Sequence, residues 1–367
     1  MSLEAIIKHT IRERGAMTIA EYMSLCLSHP VYGYYIKQDP FGVSGDFMTA
    51  PEISQTFGEL VGLWCADVWS QMGEGAVALV ELGAGRGTLM ADALRATRRV
   101  PGFLEAAAVS LIEVGAPLIA DQKETLAAWA EMIAWRTRLA DVPPAPTIVI
   151  GNEILDVCPV QQLEIAGGEA LPRGVGLAGD RLDYTRLPSA GQTGVGSRLP
   201  AHATLRDGDI CEVQDWPALD VWPRDRSLPW SALFIDYGHF DPSRADGEVV
   251  AGDTLQAVRN HSYEHPLTSP GEADLTCHVD FDGLRSHIRA EAPAGRSLLA
   301  VDGPVTQGEF LGRLGIMERA SRLMSANPDK AHAIEAGVAR LMAVPGMGDR
   351  FKAIGIRTVD LPPLPGF

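Results

Sequence analysis

An acidic residue and three alternating glycines follow a short apolar run in the sequence LVELGAGRGTL, residues 79–89. The acid is Glu81, and the glycines are Gly83, Gly85 and Gly87. A strand that ends in glycines and opens a helix makes a turn whose backbone N–H groups can face a ligand. The motif therefore predicts a small-molecule site. The alternative is a strand–turn–helix joint that needs small residues only for packing.

The class of ligand follows from what this loop contains and what it lacks. Its spacing is not the dinucleotide fingerprint Gly-x-Gly-x-x-Gly, and the Gly-Lys-Ser/Thr of a phosphate-binding loop is absent. The carboxylate of Glu81 would repel a pyrophosphate, and it suits a cation such as the amino group of a methionine moiety. Glu113 ends the second predicted strand, where it can accept hydrogen bonds from ribose hydroxyls. Together these residues predict an S-adenosylmethionine site of the Rossmann-like methyltransferases.

A second polar cluster, Asn152, Glu153 and Asp156, follows the fourth predicted strand in the sequence IVIGNEILDVCPV. Ligands of open parallel sheets bind outside the carboxyl ends of the strands, so these side chains are predicted to face the transferred methyl group. Many amino-methylating enzymes have Asn/Asp-Pro-Pro-aromatic here, whereas Glu153 replaces the first proline. Because a carboxylate can hold a guanidinium bidentately, the change favours arginine as the acceptor. The alternative is a helix N-terminus capped by Asn152, with Glu153 favourable to the helix dipole.

Two further acids lie in predicted loops, and each has two interpretations. Asp141 follows the third predicted strand and is either a contact to the adenine amino group or an ordinary loop acid. Asp46 lies in the glycine-bounded sequence SGDFMTAPEIS and is either a turn residue or a lid acid over the cofactor or substrate.

The histidines of the sequence HSYEH do not predict a metal site. His261 and His265 are four residues apart, but they lack the His-Glu-x-x-His order of helical zinc ligands. Pro266 follows directly and disfavours a helical conformation at His265. We expect solvated loop histidines and no bound metal.

Composition restricts the classes of function further. The chain has 367 residues, 46% of them hydrophobic, and a formal net charge of −16. That charge excludes a typical nucleic-acid binder, which needs a basic surface, and no apolar run is long enough to span a membrane. Five single cysteines favour a reducing compartment, and the N-terminal sequence has no signal-peptide core. We therefore expect a bacterial cytoplasmic protein, or a mitochondrial matrix protein if the sequence is a trimmed organellar form.

The elements that must position these residues form an α/β pattern. Residues 1–75 are predicted to be an N-terminal helical cap, in which Thr49 and Glu52 have the spacing of a capping box. Residues 76–367 are predicted to be the core, with insertions at about 161–217 and 240–295. Apolar strands separated by helices indicate a mostly parallel sheet covered on both faces. The predicted strands that precede the second insertion are AVALVEL, AAAVSLIEV, EMIAWR, PTIVIGNE and ALFIDYG.

These motifs, taken together, resemble the MidA-type S-adenosylmethionine-dependent methyltransferases, relatives of the mitochondrial assembly factor of respiratory complex I. The matching stretches span most of the chain and include HPVYGYY, GDFMTAPEISQTFGEL, ELGAGRGTLMAD, IGNEILDVCPV, IDYG, DLTCHVDF, TQGEFLGRLGI and MGDRFKAIG. The resemblance implies a class I methyltransferase fold with a Rossmann-like sheet. It also implies methylation of protein arginine, with a complex I subunit as the target and complex assembly as the purpose.

The resemblance assigns the cofactor loop to Glu81, Gly83, Gly85 and Gly87, and the ribose acid to Glu113. It assigns the motif after the fourth strand to the cluster of Asn152, Glu153 and Asp156.

In the predicted reaction, Glu153, Asp156 and Asp46 orient the guanidinium. A carboxylate accepts its proton, because free arginine is protonated at neutral pH.

Two alternatives belong to other functional classes. A non-catalytic assembly chaperone could keep a vestigial cofactor fold, although a dead site need not retain both the glycine loop and Glu113. An NAD-dependent enzyme would need the dinucleotide fingerprint. A homodimer is compatible with the sequence, which leaves the oligomeric state, the acceptor residue and the extent of methylation open.

Overall fold

The computed structural model describes residues 2–37, 49–188, 205–214, 216, 227–241, 243–244, 251–290 and 298–367. The chain divides into two compact units. The first unit consists of residues 1–40, 156–219 and 239–287, and the second consists of residues 41–155, 220–238 and 288–367.

Helices and strands alternate from β2 to β4, whereas β4 to β14 follow one another without an intervening α-helix among the described residues. The helices are α1 (Leu3–Arg14), α2 (Ile19–Ser28), α3 (Tyr34–Lys37), α4 (Ala50–Ile53), α5 (Gln55–Gln71), α6 (Thr88–Thr97), α7 (Phe103–Ala106), α8 (Ala116–Thr125), α9 (Phe281–Ala290), α10 (Gln307–Arg313), α11 (Ile316–Ala326), α12 (Ala331–Met342) and α13 (Met347–Arg350). The strands are β1 (Met17–Thr18), β2 (Val77–Leu82), β3 (Ala107–Ile112), β4 (Ile133–Arg136), β5 (Thr147–Asn152), β6 (Val160–Ala166), β7 (Glu169–Ala178), β8 (Arg181–Arg186), β9 (Ile210–Gln214), β10 (Trp230–His239), β11 (Gln256–Arg259), β12 (Ser262–Glu264), β13 (Asp274–Thr276), β14 (Val279–Asp280), β15 (Leu299–Thr306) and β16 (Phe351–Thr358).

The second unit is built on a mixed sheet in the order β15-β16-β10-β5-β2-β3-β4. The five strands β4-β3-β2-β5-β10 are parallel and follow the doubly wound order 3-2-1-4-5, while β16 is antiparallel to both of its neighbours. All six residues of β2 are buried, as expected for a central strand with both faces covered. The strand order reverses between β2 and β5, and this is where ligands bind in such sheets.

Helices α5 and α6 pack closely against each other beside this sheet. The apolar face of α5 contributes buried Phe57, Leu60, Val61, Trp64 and Val68 to the core of the second unit. This burial of residues at helical spacing stabilises α5 far more than its intrinsic propensity does.

The first unit combines helices with antiparallel sheets. Strands β1, β7, β6 and β9 pair in that order, and β8 pairs with the free edge of β7. A smaller sheet has the order β12-β11-β13. Residues of α1 and α2 supply much of the core of this unit, including Ile7, Ile19, Tyr22 and Met23.

All five cysteines are free and buried. Among the helices in the described ranges, none combines the length and apolarity needed to cross a bilayer.

Candidate functional site

The glycine loop after β2 has the backbone conformation that only glycine adopts without strain. Gly83, Gly85 and Gly87 have φ angles of 61°, 53° and 81°, all in the left-handed region. A Cβ atom on Gly83 would also lie 2.9 Å from Cδ1 of Ile154. Gly87 is the N-cap of α6, so the loop leads directly from the parallel sheet into a helix. The predicted strand–turn–helix motif is therefore present.

Glu81 is the buried acid of this site. Its side chain is on β2, the residue is 3% exposed, and its Oε2 atom has no hydrogen-bond partner among the described residues. Burial raises the pKa of the carboxyl group to about 8. Burying an acid without a hydrogen bond costs free energy, which a cationic ligand beside it would recover.

A pocket joins Glu81 to the residues that follow β5. The space it encloses is about 420 Å³, including the part open to solvent. Its lining comes from the glycine loop, from the start of α6, from α4 and from the end of β5. The residues of this pocket that matter below are Glu52, Glu81, Gly85, Thr88, Asn152 and Glu153. We call it the β2–β5 pocket.

A second pocket lies at the ends of β3 and β4, and both predicted acids line it. Glu113 and Asp141 share this space of about 560 Å³ with Trp135. Oε1 of Glu113 accepts from the backbone N–H groups of Val114 and Gly115, each at 2.8 Å. Burial raises the pKa of Glu113, and these hydrogen bonds act in the opposite direction.

Asp141 has a partner of its own. Its carboxylate accepts a hydrogen bond from Arg138 at 3.0 Å, which lowers the pKa of Asp141. The contacts predicted for ribose and adenine stay predictions.

Gln122, which the motif analysis missed, connects the two pockets. This side chain of α8 is fully buried, and its Nε2 donates to the carbonyl oxygen of Gly85 at 2.9 Å and to Oε2 of Glu113 at 3.3 Å. Its Oε1 accepts from Nε1 of Trp135 at 2.9 Å. The sequence signal was a glutamine four residues after Leu118, and these two residues form the buried face of α8.

Asn152 and Glu153 lie where β5 ends. Glu153 has a φ of 53°, unusual for a residue with a side chain, and its N–H donates to the carbonyl of Ile235 at 2.9 Å. Its Oε1 accepts from Nδ2 of Asn152 at 3.1 Å and from the backbone N–H of Ala50 at 3.3 Å. Oδ1 of Asn152 is buried and has no hydrogen-bond partner within the described chain.

The alternative interpretation of Asn152 as a helix cap is wrong. A bend and a turn follow β5, and the chain then enters β6 at Val160. The turn is supported by Asp236 on β10, whose carboxylate accepts from the backbone N–H groups of Leu155 and Tyr237, each at 2.8 Å. Strained φ values of this kind are concentrated at functional sites.

The other residues singled out in the sequence are Asp156, Asp46 and the histidines of HSYEH. Asp156 is buried in the first unit, where its backbone carbonyl accepts from the N–H of Cys277 at 3.0 Å. Asp46 lies outside the described residues. Asn260 and His261 both have positive φ and form the two-residue turn between β11 and β12, so the local chain is a hairpin.

The capping box predicted from Thr49 and Glu52 is also wrong. Thr49 is the N-cap of α4, but its side chain makes no capping hydrogen bond. Oε1 of Glu52 instead accepts from Oγ1 of Thr88, at the start of α6, at 2.5 Å.

Comparison with known proteins decides the family. A family model described as "Putative S-adenosyl-L-methionine-dependent methyltransferase" matches residues 60–297. The chain belongs to this methyltransferase family. The mitochondrial protein arginine methyltransferase NDUFAF7 of Mus musculus is 33% identical, with 94% of this chain and 82% of the relative covered. Its Drosophila melanogaster homologue is 34% identical, with coverages of 97% and 84%.

Solved structures agree with the family assignment. A Burkholderia thailandensis protein bound to S-adenosyl-homocysteine superposes with a TM-score of 0.83 at 25% identity, covering 99% of this methyltransferase and 93% of that chain. The predicted family, the α/β fold class and the dependence on S-adenosylmethionine are therefore confirmed. The residues present fit that cofactor, because the buried acid Glu81, whose Oε2 has no hydrogen-bond partner among the described residues, lies beside a loop of three left-handed glycines.

Proposed function

We propose that this methyltransferase modifies the guanidinium group of an arginine in a protein, and that the acceptor is a subunit of respiratory complex I. The observation that carries the proposal is the position of Glu153. Its carboxylate lines the β2–β5 pocket together with Glu81, the acid expected beside the cofactor. The names of the relatives, which are protein arginine methyltransferases, support the same acceptor chemistry.

The cofactor would be held by residues at the ends of three neighbouring strands. When bound, S-adenosylmethionine supplies a methyl group attached to a positively charged sulfur. We propose that Glu81 balances the positive charge of the cofactor. Gly83, Gly85 and Gly87 would allow the backbone to approach the cofactor closely. Glu113 and Asp141, which line the second pocket, are assigned to the ribose and adenine groups. The buried amide of Gln122 fixes the position of Glu113 relative to the loop.

The acceptor side is assigned to the residues after β5. Arginine is protonated at neutral pH, so a carboxylate must accept its proton as the nitrogen attacks the methyl group. Glu153 is assigned this role, and Asn152 fixes the carboxylate through its 3.1 Å hydrogen bond. Asp156 and Asp46 are proposed to orient the guanidinium further. Positioning supplies most of the rate gain, because the methyl group is already activated.

The proposed place of action follows from the acceptor. The relatives named above are mitochondrial proteins. We propose that this chain acts where complex I is assembled, which is the cytoplasmic side of the membrane in a bacterium and the matrix in a mitochondrion.

The decisive experiment transfers a deuterated methyl group. Complex I from cells that lack this gene is incubated with the purified protein and S-adenosylmethionine carrying a trideuterated methyl group, and its subunits are digested for mass spectrometry. We expect the heavy methyl group on an arginine of one subunit. Heavy methyl on lysine or on a carboxylate would contradict the arginine assignment. Binding to a subunit without any transfer would favour the assembly chaperone.

A further inference from the structure

Glu52 is turned toward the cofactor loop rather than toward its own helix. It lies in α4, and its Oε1 accepts from Oγ1 of Thr88, the first residue of α6. Its other carboxylate oxygen, Oε2, makes no hydrogen bond within the described residues. Glu52 is partly exposed and lines the β2–β5 pocket, so the oxygen that Thr88 does not bind is available to a ligand.

Among the described residues that line the β2–β5 pocket, acids outnumber basic residues. Glu52, Glu81 and Glu153 line it, and Arg86 is the basic residue that lines it with them. Three acids and one guanidinium leave an excess of two negative charges if all four groups are ionised. Glu81 is 3% exposed and its Oε2 has no hydrogen-bond partner in the described part of the chain, which marks the pocket as a place for a cationic ligand.

Once the cofactor has favoured the ionised form of Glu81, one cation does not match this excess. The cofactor of the family carries its positive charge at the methionine end, for which the acid Glu81 beside the glycine loop is assigned. Glu52 and Glu153 come from α4 and from the end of β5, and they line the same pocket. A second cation in the pocket would therefore lie near two carboxylates.

We propose that Glu52 is a second acceptor-binding residue, which holds the substrate guanidinium together with Glu153. This inference rests on the proposed arginine acceptor. A guanidinium carries five N–H donors in a planar fork, more than one carboxylate can accept. An ammonium group is a compact charge with three donors and matches two separate carboxylates less well. Glu52 therefore selects arginine over lysine, and Thr88 positions it.

The test separates acceptor binding from cofactor binding. Saturation-transfer NMR follows N-acetyl-arginine N-methylamide, and its citrulline counterpart, on protein saturated with S-adenosyl-homocysteine. Glu52→Gln keeps an oxygen that can accept from Thr88 but removes the negative charge. We expect the arginine compound to bind at least about tenfold more weakly to this variant, and the citrulline compound to bind neither protein.

Three controls keep the result interpretable. Glu105→Gln changes an exposed acid of α7 and should leave arginine binding unchanged. Thr88→Val should weaken binding less than Glu52→Gln, because the carboxylate stays in the pocket. Titration calorimetry with S-adenosyl-homocysteine should give affinities within about twofold of wild type for Glu52→Gln, because a cofactor role is not assigned to Glu52.

Several outcomes would overturn the proposal. They are equal binding of the arginine compound to wild type and Glu52→Gln, no binding to the wild type, or a tenfold loss of S-adenosyl-homocysteine affinity in the variant. Methyl transfer to a complex I arginine with an unchanged KM in Glu52→Gln would exclude Glu52 as an acceptor-binding residue and leave the proposed function intact. Methyl transfer by the wild type to another type of residue would contradict the proposed function itself.

Discussion

The amide of Gln122 and the carboxylate of Glu113 are hydrogen-bonded at 3.3 Å in the interior of the second unit. The same nitrogen of Gln122 donates to the carbonyl of Gly85, and its oxygen accepts from Trp135. One side chain of α8 thus connects residues at the ends of β2, β3 and β4. Because the bonds are buried, each is costly to leave unmade.

Replacing Gln122 with methionine should damage both stability and cofactor binding. Methionine has a similar length but makes none of the three hydrogen bonds, so Glu113 and the carbonyl of Gly85 lose a partner. We expect the free energy of unfolding to fall by about 2 kcal/mol and the affinity for S-adenosyl-homocysteine to fall about tenfold. Urea unfolding and titration calorimetry measure the two effects. Glu124→Gln, at an exposed position two residues further along α8, is the control. Wild-type affinity in Gln122→Met would show that the bridge does not organise the site.

The buried carboxyl of Glu81 should make cofactor binding pH-dependent. Its pKa of about 8 means that the ligand-free protein holds a proton there at pH 7, while a cationic ligand favours the ionised form. Binding therefore releases a proton, and the affinity for S-adenosyl-homocysteine should rise with pH up to about 8, by no more than about tenfold per pH unit. Calorimetric titrations of S-adenosyl-homocysteine in buffers of different ionisation enthalpy measure the number of protons released on binding. Glu81→Gln should bind more weakly and lose this dependence; a retained pH slope in that variant would assign it to another group.

The same pKa shift affects the stability of the ligand-free protein in the opposite sense. A carboxyl whose pKa is raised from 4.5 to about 8 on folding stabilises the fold fully below pH 4.5. That contribution is lost as the pH rises through 8. Urea unfolding at pH 6 and pH 8.5 should therefore show a smaller decrease in Glu81→Gln than in the wild type.

Glu153→Gln should separate chemistry from cofactor binding. The amide keeps an oxygen that can accept from the N–H of Ala50, but it cannot take a proton from the acceptor. We expect methyl transfer to fall by at least about 100-fold, with S-adenosyl-homocysteine affinity unchanged. Single-turnover transfer of a labelled methyl group measures the rate, and Glu105→Gln is the control. Full activity in Glu153→Gln would exclude this residue as the proton acceptor.

The local motifs of the sequence predicted the glycine loop well. The glycine loop is a strand–turn–helix signal that lies within eleven consecutive residues, so the left-handed conformations of Gly83, Gly85 and Gly87 needed no tertiary information. The alternation of strands and helices predicted the parallel part of the sheet for the same reason. The antiparallel pairing of β16 with β10 joins segments more than a hundred residues apart, which local patterns do not encode.

Two of the wrong predictions share one physical cause, which is a tertiary contact that overrides a local signal. Glu52 has the spacing of a capping box with Thr49, yet its carboxylate accepts from Thr88, thirty-six residues away. Asn152 and Glu153 match a helix start, yet Asp236 binds the backbone after them and the chain continues into β6. Gln122 was missed for another reason, because a glutamine between the polar residues Asp121 and Lys123 has no distinguishing local signal.

The close packing of α5 on α6 depends on glycine, and a single methyl group should disrupt it. A Cβ atom on Gly62 would lie 2.5 Å from Cα of Ala93 and 2.7 Å from its carbonyl oxygen, both backbone atoms that cannot turn aside. Gly62→Ala gains up to about 1 kcal/mol of helix propensity, but overpacking costs up to about 3 kcal/mol, so we expect a net destabilisation of about 2 kcal/mol. Gly75→Ala, where nothing lies within 4 Å, is the matched control and should be neutral. Because α6 begins at the glycine loop, Gly62→Ala should also weaken S-adenosyl-homocysteine binding, measured by calorimetry beside urea unfolding. A Gly62→Ala protein as stable as Gly75→Ala would mean that the helices separate without cost and that their contact does not hold the loop in place.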